Sequence, residues 1–391
     1  MKITKLSLIA TLAISSAIAG GDIIPAPLPP VEDATTVKGK LQAYYYTNDN
    51  TPNNLFSELN NQLGTAVTLD VAHKLFEGVT LNFSAVGFAN LMDKGGYMEQ
   101  SATGAYMNVA NLTATYWDTT LIAGRQTLAT PMLGSFDWKL APGSFEAYTL
   151  MNNSIENLTL IGSYVTKWRE NDDSRVDGNT FTDLTTNSKN NWAVGAVYKN
   201  ESLFDASVWY YNVDAGSFTT SNAVTTADKY TQIYADAGIS YSGVRLDGQY
   251  VLTQYSTAVN KDASAFGGKL SYTLYDIALS GAFVQIVGNA TGFVGVDSLY
   301  TSSWNTFAST TYNPVDGDAS TYKVDAKTKV YGIDMEASFA GYGKNGQEID
   351  VILGYELTDS WNFGAIYSNT TPNTNPNTAV NAVEVIATYK F

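Results

Sequence analysis

From Val37 to Phe391 apolar and polar side chains alternate with period two, in segments of about ten residues. Successive side chains of a strand point to opposite faces, so each such segment predicts a strand with one apolar and one polar face. In Val330–Phe339 the set Tyr331, Ile333, Met335, Ala337 and Phe339 alternates with Asp334, Glu336 and Ser338. In Glu348–Leu357 the residues Ile349, Val351, Leu353, Tyr355 and Leu357 oppose Glu348, Asp350 and Glu356, with Ile352 and Gly354 as exceptions. Val244–Leu252 sets Leu246, Tyr250 and Leu252 against Arg245, Asp247 and Gln249. A soluble sandwich alternates in the same way. Aromatics at strand ends (Tyr44-Tyr45-Tyr46, Tyr116-Trp117, Trp192, Trp209-Tyr210-Tyr211, Trp361) fit the interfacial girdles of a transmembrane β-barrel better than a dry core.

Connection lengths strengthen the barrel reading. Short connections at Phe76–Gly78, Asp118-Thr119, Asn152–Glu156, Asn200–Leu203, Tyr241–Gly243, Tyr275-Asp276 and Thr358–Ser360 take turns with longer polar ones. The longer ones are Thr47–Gly64, Asn90–Gly104, Thr127–Gly143, Glu170–Asn190, Asp214–Lys229, Ser256–Ala263, Gly288–Thr328 and Asn369–Ala379. This is the rhythm of periplasmic turns and extracellular loops in bacterial barrels, whose strand number is even. A direct count gives about seventeen strands, and Ala340–Gln347 falls out of phase unless one more strand lies within Gly288–Thr328. The expectation is an all-β, antiparallel barrel of eighteen strands, with sixteen as the alternative.

The N-terminus places the chain outside the cytoplasm. Lys2 and Lys5 precede an apolar run, Leu6–Ile14, and the small-x-small site Ala17-Ile18-Ala19, the pattern of a cleaved signal peptide. We expect a signal peptide at 1–19, a Pro-rich lead-in at 20–36 and one barrel domain at 37–391. After Gly20 no stretch approaches the ~18–20 apolar residues of a spanning helix. Cleavage takes 22 Lys+Arg to 20 against 37 Asp+Glu, so the mature charge is −17. That balance argues against nucleic acid, whose phosphates call for a basic face. With no Cys, disulfides, thiolate zinc sites and Cys nucleophiles are excluded, and a single His leaves little for His-based catalysis.

The last strand alternates Val383, Val385, Ala387, Tyr389 and Phe391 with Ala382, Glu384, Thr388 and Lys390. Its terminal aromatic resembles the signal that the barrel-assembly machinery reads, carried here by Tyr389 and Phe391. Leu121–Lys167 holds a strand ending in Ala-Gly, a long irregular loop, Leu140-Ala141-Pro142, Phe145-Glu146 and Asn157–Leu160. These motifs resemble the OprD-type outer-membrane porin family. Ile122–Arg125, Asn152–Ile155 and Tyr389-Lys390-Phe391 look closest to the major porins of Campylobacter-type bacteria. The resemblance covers about a quarter of the chain through short motifs; elsewhere only strand rhythm matches. It implies an eighteen-stranded barrel in the outer membrane of a Gram-negative bacterium, often a homotrimer, amid lipopolysaccharide. It also implies a third extracellular loop, here Thr127–Gly143, folded into the lumen as the constriction, where Pro131 prevents regular pairing. The family's arginine ladder is thin here, with only Arg125, Arg169, Arg175 and Arg245, and Lys139 stands where the family loop often has Arg. A general diffusion pore for ions and small hydrophilic solutes is therefore favoured over a channel specific for amino acids or carboxylates.

A pore acts through its width and its lining charges. Strand phase aims Lys167 and Arg169 into the lumen, with Arg125 entering the loop and Asp137, Lys139 and Glu146 in or just after it. Asp334, Glu336, Asp350 and Glu356 line a later wall, predicting a weak preference for cations. His73, at a strand end beside Lys74, has no nucleophile-base constellation, so no catalytic residue and no enzyme activity are expected. Asp172, Asp173 and Asp177, or Asp316 and Asp318, lack the ligand set of a calcium loop, so neither metal nor cofactor is expected.

Overall fold

The computed structural model describes residues 34–50, 54–93, 103–169, 181–184, 190–200, 204–214, 218–220, 223–225, 229–256, 262–309, 319–372 and 379–391. The expected signal peptide, the lead-in before Ala34, and Asp172, Asp173, Arg175, Asp177, Asp316 and Asp318 lie outside the described residues.

Eighteen antiparallel strands form one closed sheet. They are β1 (Thr35–Asn48), β2 (Gln62–Phe76), β3 (Val79–Asp93), β4 (Thr103–Tyr116), β5 (Thr119–Gln126) and β6 (Ser144–Ile155). Next come β7 (Leu158–Arg169), β8 (Asn191–Asn200), β9 (Phe204–Val213), β10 (Tyr230–Tyr241), β11 (Val244–Tyr255) and β12 (Ala263–Leu274). The series ends with β13 (Ile277–Gly288), β14 (Ala319–Val330), β15 (Ile333–Gly341), β16 (Gln347–Glu356), β17 (Trp361–Thr371) and β18 (Val380–Lys390). Each strand pairs with its sequence neighbours, and β1 also pairs with β18, Lys40 opposite Lys390, which leaves no open edge. A two-residue strand, Thr182-Asp183, adds to the end of β7, and Phe218–Thr220 pairs with Ala223–Thr225 apart from the barrel.

The strand expected within Gly288–Thr328 is β14, which runs on to Val330. Val330–Phe339 is therefore not one strand. Tyr331-Gly332 is a tight turn with φ of 50° and 82°, the pair of positive φ values that a type I′ hairpin requires. Tyr331 keeps the apolar rhythm in sequence but stands at the turn tip, 98% exposed. A second boundary also moves: β6 continues to Ile155 and the turn is Glu156-Asn157, where Asn157 tolerates its φ of 63°. Residues 342–346, with a short 3-10 turn at Gly343–Asn345, fall on the rim of the long connections, as the phase argument requires.

Facing follows the alternation. Leu246, Tyr250, Met335, Ile349 and Tyr355 are exposed on the outer face, while Asp247, Gln249, Glu336, Glu348 and Asp350 are buried on the inner one. The aromatic runs divide between the two. Tyr44, Tyr46, Trp209 and Tyr211 are buried and face inward, whereas Tyr210 and Trp361 are exposed outward, and Trp117 is exposed at the tip of the turn between β4 and β5. Consecutive aromatics on a strand cannot all join an outer girdle, because period two sends alternate members to opposite faces.

Inward apolar residues have a second cause. Val165, Val251, Val284 and Ile286 are fully buried in one cluster with Leu128, Met132, Leu133, Val294 and Leu299 from the connections 127–143 and 289–309. Ile352, the exception in its strand, packs with Ile366 against Trp304 of the second connection. Apolar positions on the polar face mark where these connections rest on the wall.

Candidate functional site

Both connections attach to inward-facing side chains. In 127–143, Met132 N donates to Tyr211 Oη at 3.3 Å, Gln42 Nε2 donates to Lys139 O at 2.6 Å, and Trp138 Nε1 donates to Glu384 Oε2 at 3.1 Å. In 289–309, Gln232 Nε2 donates to Gly292 O at 2.6 Å and Gln249 Nε2 to Ser298 O at 2.7 Å. On the same segment Lys323 Nζ donates to Ser302 O at 3.0 Å, and Asn305 N donates to Glu348 Oε1 at 2.7 Å. The connections also pair with each other. Val294 N donates to Met132 O at 2.9 Å and accepts at its own carbonyl from Gly134 N at 3.0 Å. Phe136 meets Phe307 edge-on with ring centroids 5.6 Å apart, and within the second connection Phe293 packs on Phe307 at 5.3 Å.

Charges gather beside these segments. Arg125 on β5, Glu146 on β6 and Lys167 on β7 stand opposite one another in register. Arg125 Nε donates to Glu146 Oε1 at 3.0 Å, and Lys167 Nζ lies 3.6 Å from Glu146 Oε2. The Arg125 guanidinium also lies 4.0 Å from the Phe181 ring centroid, and that of Arg169 lies 3.6 Å from the centroid of Tyr106. Such stacking on aromatic faces suits the weakly hydrated guanidinium. Lys139 is buried with its ammonium 4.7 Å over the Trp138 ring. Burial pushes the Asp137 carboxyl above its usual range, an effect that Lys40 opposes. Arg125, Glu146 and Lys167 thus form one register group that strand phase did not single out, while Arg169, expected beside Lys167, stacks on Tyr106, which Asp137 also faces.

The later wall is not a bare acidic strip. Asp334 pairs with Lys329 at 3.0 Å, and Glu336 with Lys327 at 3.1 Å. Asp350 Oδ2 accepts from Ser338 Oγ at 3.1 Å and Trp304 N at 3.2 Å. Glu356, half-buried at the end of β16, has Lys390 as an electrostatic neighbour. The lysines were missed because β14 was hidden, although Lys323, Asp325, Lys327 and Lys329 share one face at period two. Arg245, which the sequence counts among its few arginines but not among the lining charges, is bidentate to Asp205 at 2.7 and 2.8 Å and lies 2.6 Å from Asp247. Period two places Glu384 on the polar face of the last strand, but the sequence marks neither it nor Trp304 as part of a site. His73, half-buried near the end of β2, has its Nδ1 2.7 Å from Thr35 Oγ1. Among the described residues no group of three His, Cys, Asp or Glu side chains is placed to hold a metal ion.

The family described as "outer membrane porin, OprD family" matches residues 35–349. Comparison with curated proteins finds no match. Among solved structures, the barrel is similar to Acinetobacter baumannii OccAB2 with a TM-score of 0.74, 15% identity, and 91% of this chain and 98% of that one covered. Pseudomonas aeruginosa OpdK, solved with vanillate, gives a TM-score of 0.74 at 14% identity, covering 91% and 98% of the two chains. A BenF-like porin from Pseudomonas fluorescens gives 0.73 at 14% identity, covering 92% and 99%. At these identities the likeness is one of fold.

Proposed function

Since this chain belongs to the OprD family of outer-membrane porins, we propose that it is a passive diffusion channel for ions and small hydrophilic solutes, weakly selective for cations. The observation that carries this reading is a closed eighteen-stranded wall with fixed charges on its inner face and two long connections attached to it. Barrels of this strand number enclose an aqueous path, and connections 127–143 and 289–309 form its constriction. Acids outnumber lysines on the inner face of β14–β18, and low-dielectric walls focus their field. Single-channel recording in a planar bilayer tests the reading: stable conductance steps with a cation-positive reversal potential in a salt gradient support it. Absence of steps refutes the pore, and an anion-positive potential refutes the selectivity.

A second reading, a channel with a carboxylate site, is favoured by Arg125, Lys167 and Arg169 gathering near the start and end of connection 127–143. Concentration-dependent block of the ionic current by small carboxylates, lost in Arg125→Ala, would select it. Within the family, the motifs Ile122–Arg125 and Asn152–Ile155 support kinship with the major porins of Campylobacter-type bacteria. The signal peptide directs export, Tyr389 and Phe391 address the barrel-assembly machinery, and the barrels associate as a homotrimer within lipopolysaccharide.

A further inference from the structure

Glu384 lies at the inner face of β18, 1% exposed, and its carboxylate collects donors from three separate parts of the chain. Tyr44 Oη on the adjoining β1 donates to Oε2 at 2.8 Å. Trp138 Nε1, from connection 127–143, donates to the same oxygen at 3.1 Å. Trp304 Nε1, from connection 289–309, donates to Oε1 at 2.7 Å. A buried carboxylate is costly unless its lone pairs are filled, and bonds to an ionised acceptor are about twice as strong as neutral ones. Each indole has one N–H to give, and both connections direct theirs to this one side chain.

We propose that Glu384 is a positioning residue that docks both connections against the wall and so sets the width of the constriction, an inference that rests on the pore reading above. The mechanics follow from the number of fastenings. Val294 already ties the two connections together through its bonds with Met132 and Gly134, but fastenings gathered at one residue leave the rest of each connection free to turn about it. Glu384 supplies another fastening at Trp138 and Trp304, beside the Phe136–Trp138 and Phe136–Phe307 contacts. The two arms do not depend on it equally. Connection 289–309 keeps Asn305 on Glu348 and the Trp304 amide on Asp350. Connection 127–143 keeps the Gln42 bond to Lys139 O on this part of the wall, so its Trp138 end is freed more by loss of Glu384.

The test uses Trp138→Phe and Trp304→Phe, which keep an aromatic ring and remove the N–H, together with Glu384→Gln and Glu384→Ala. Folding is checked first by heat-modifiable migration on gels. Each Trp→Phe change is expected to raise the population of undocked connection roughly 10- to 100-fold, the weight of one hydrogen bond to a charged group. In bilayers this appears as open-channel flicker and altered conductance, and in hydrogen exchange as faster exchange of the amides of 134–141 and 143. In the Glu384→Ala background neither Trp→Phe change should add anything further, since the partner is already gone. Unchanged exchange in the Glu384 variants, or full Trp→Phe effects in the Glu384→Ala background, overturns the proposal. A wild type without conductance steps overturns the pore reading instead, and the exchange measurement still decides whether Glu384 docks the connections.

Discussion

Gly295→Ala is the sharpest probe of the pairing between connections 127–143 and 289–309. Gly295 has φ of 77°, a left-handed conformation that costs a non-glycine residue about 1–2 kcal/mol. A Cβ added there would also strike the carbonyl oxygen of Gly134 on the facing connection. That contact is backbone and cannot rotate away, so the connections must part. Parting breaks the Val294–Met132 and Gly134–Val294 bonds of 2.9 and 3.0 Å, each contributing about 1 kcal/mol net. Those bonds resist parting, so the shift toward separated connections comes from the left-handed strain of about 1–2 kcal/mol, roughly 10-fold, together with the backbone clash. No ladder bond of the barrel is touched, so the heat-modifiable band and its melting temperature should match wild type. The assay is single-channel noise and conductance, with Gly248→Ala as control because its added Cβ meets nothing within 4 Å. Gly295→Ala channels indistinguishable from Gly248→Ala channels would refute the reasoning.

Deletion of Phe391 removes a ring stacked near Tyr389 and lying over Gly39, together with the two backbone bonds between Phe391 and Gly39. One partly buried ring contributes at most a few kcal/mol, about 2 by area, so outer-membrane yield should fall while assembled barrels melt almost as wild type; unchanged yield sinks the assembly role. The double variant Asp334→Asn/Glu336→Gln unpairs Lys329 and Lys327 and makes the wall more positive by two charges. Cation preference measured by reversal potential should fall by less than about twofold, given screening within 8–10 Å at physiological salt, and no change would remove this wall from the selectivity. Burial holds the Asp297 carboxyl in connection 289–309 above its usual range, against hydrogen bonds from Ser309 and Leu299 that favour ionisation. A raised carboxylate pKa stabilises fully below the unfolded value near 3.9 and loses that contribution as pH rises through the native value. Open-channel flicker should therefore lessen on acidification from neutral pH, and Asp297→Asn should blunt that dependence; flicker that grows on acidification alike in both proteins contradicts the assignment.

Local chemistry determined the strands and the parity of this barrel. The alternation in Val244–Leu252 and Glu348–Leu357 survives intact in the burial of Asp247, Gln249, Glu348 and Asp350, because side-chain direction on a strand depends only on position along it. Even strand number followed from where long and short connections fall, and it located β14 before its turn was visible. Tyr331 misled because a turn residue with positive φ need not break the apolar rhythm. What composition and period could not supply were pairings between residues distant in the chain. Glu384 meets Trp138 across 246 positions and Trp304 across 80, and Glu336 is neutralised by Lys327 from a strand that the pattern had concealed. Whether a lumen charge is bare or paired depends on register between strands and on the path of the connections. Those are set by closing the whole sheet, which brings β18 against β1 and gives both connections one wall on which to rest.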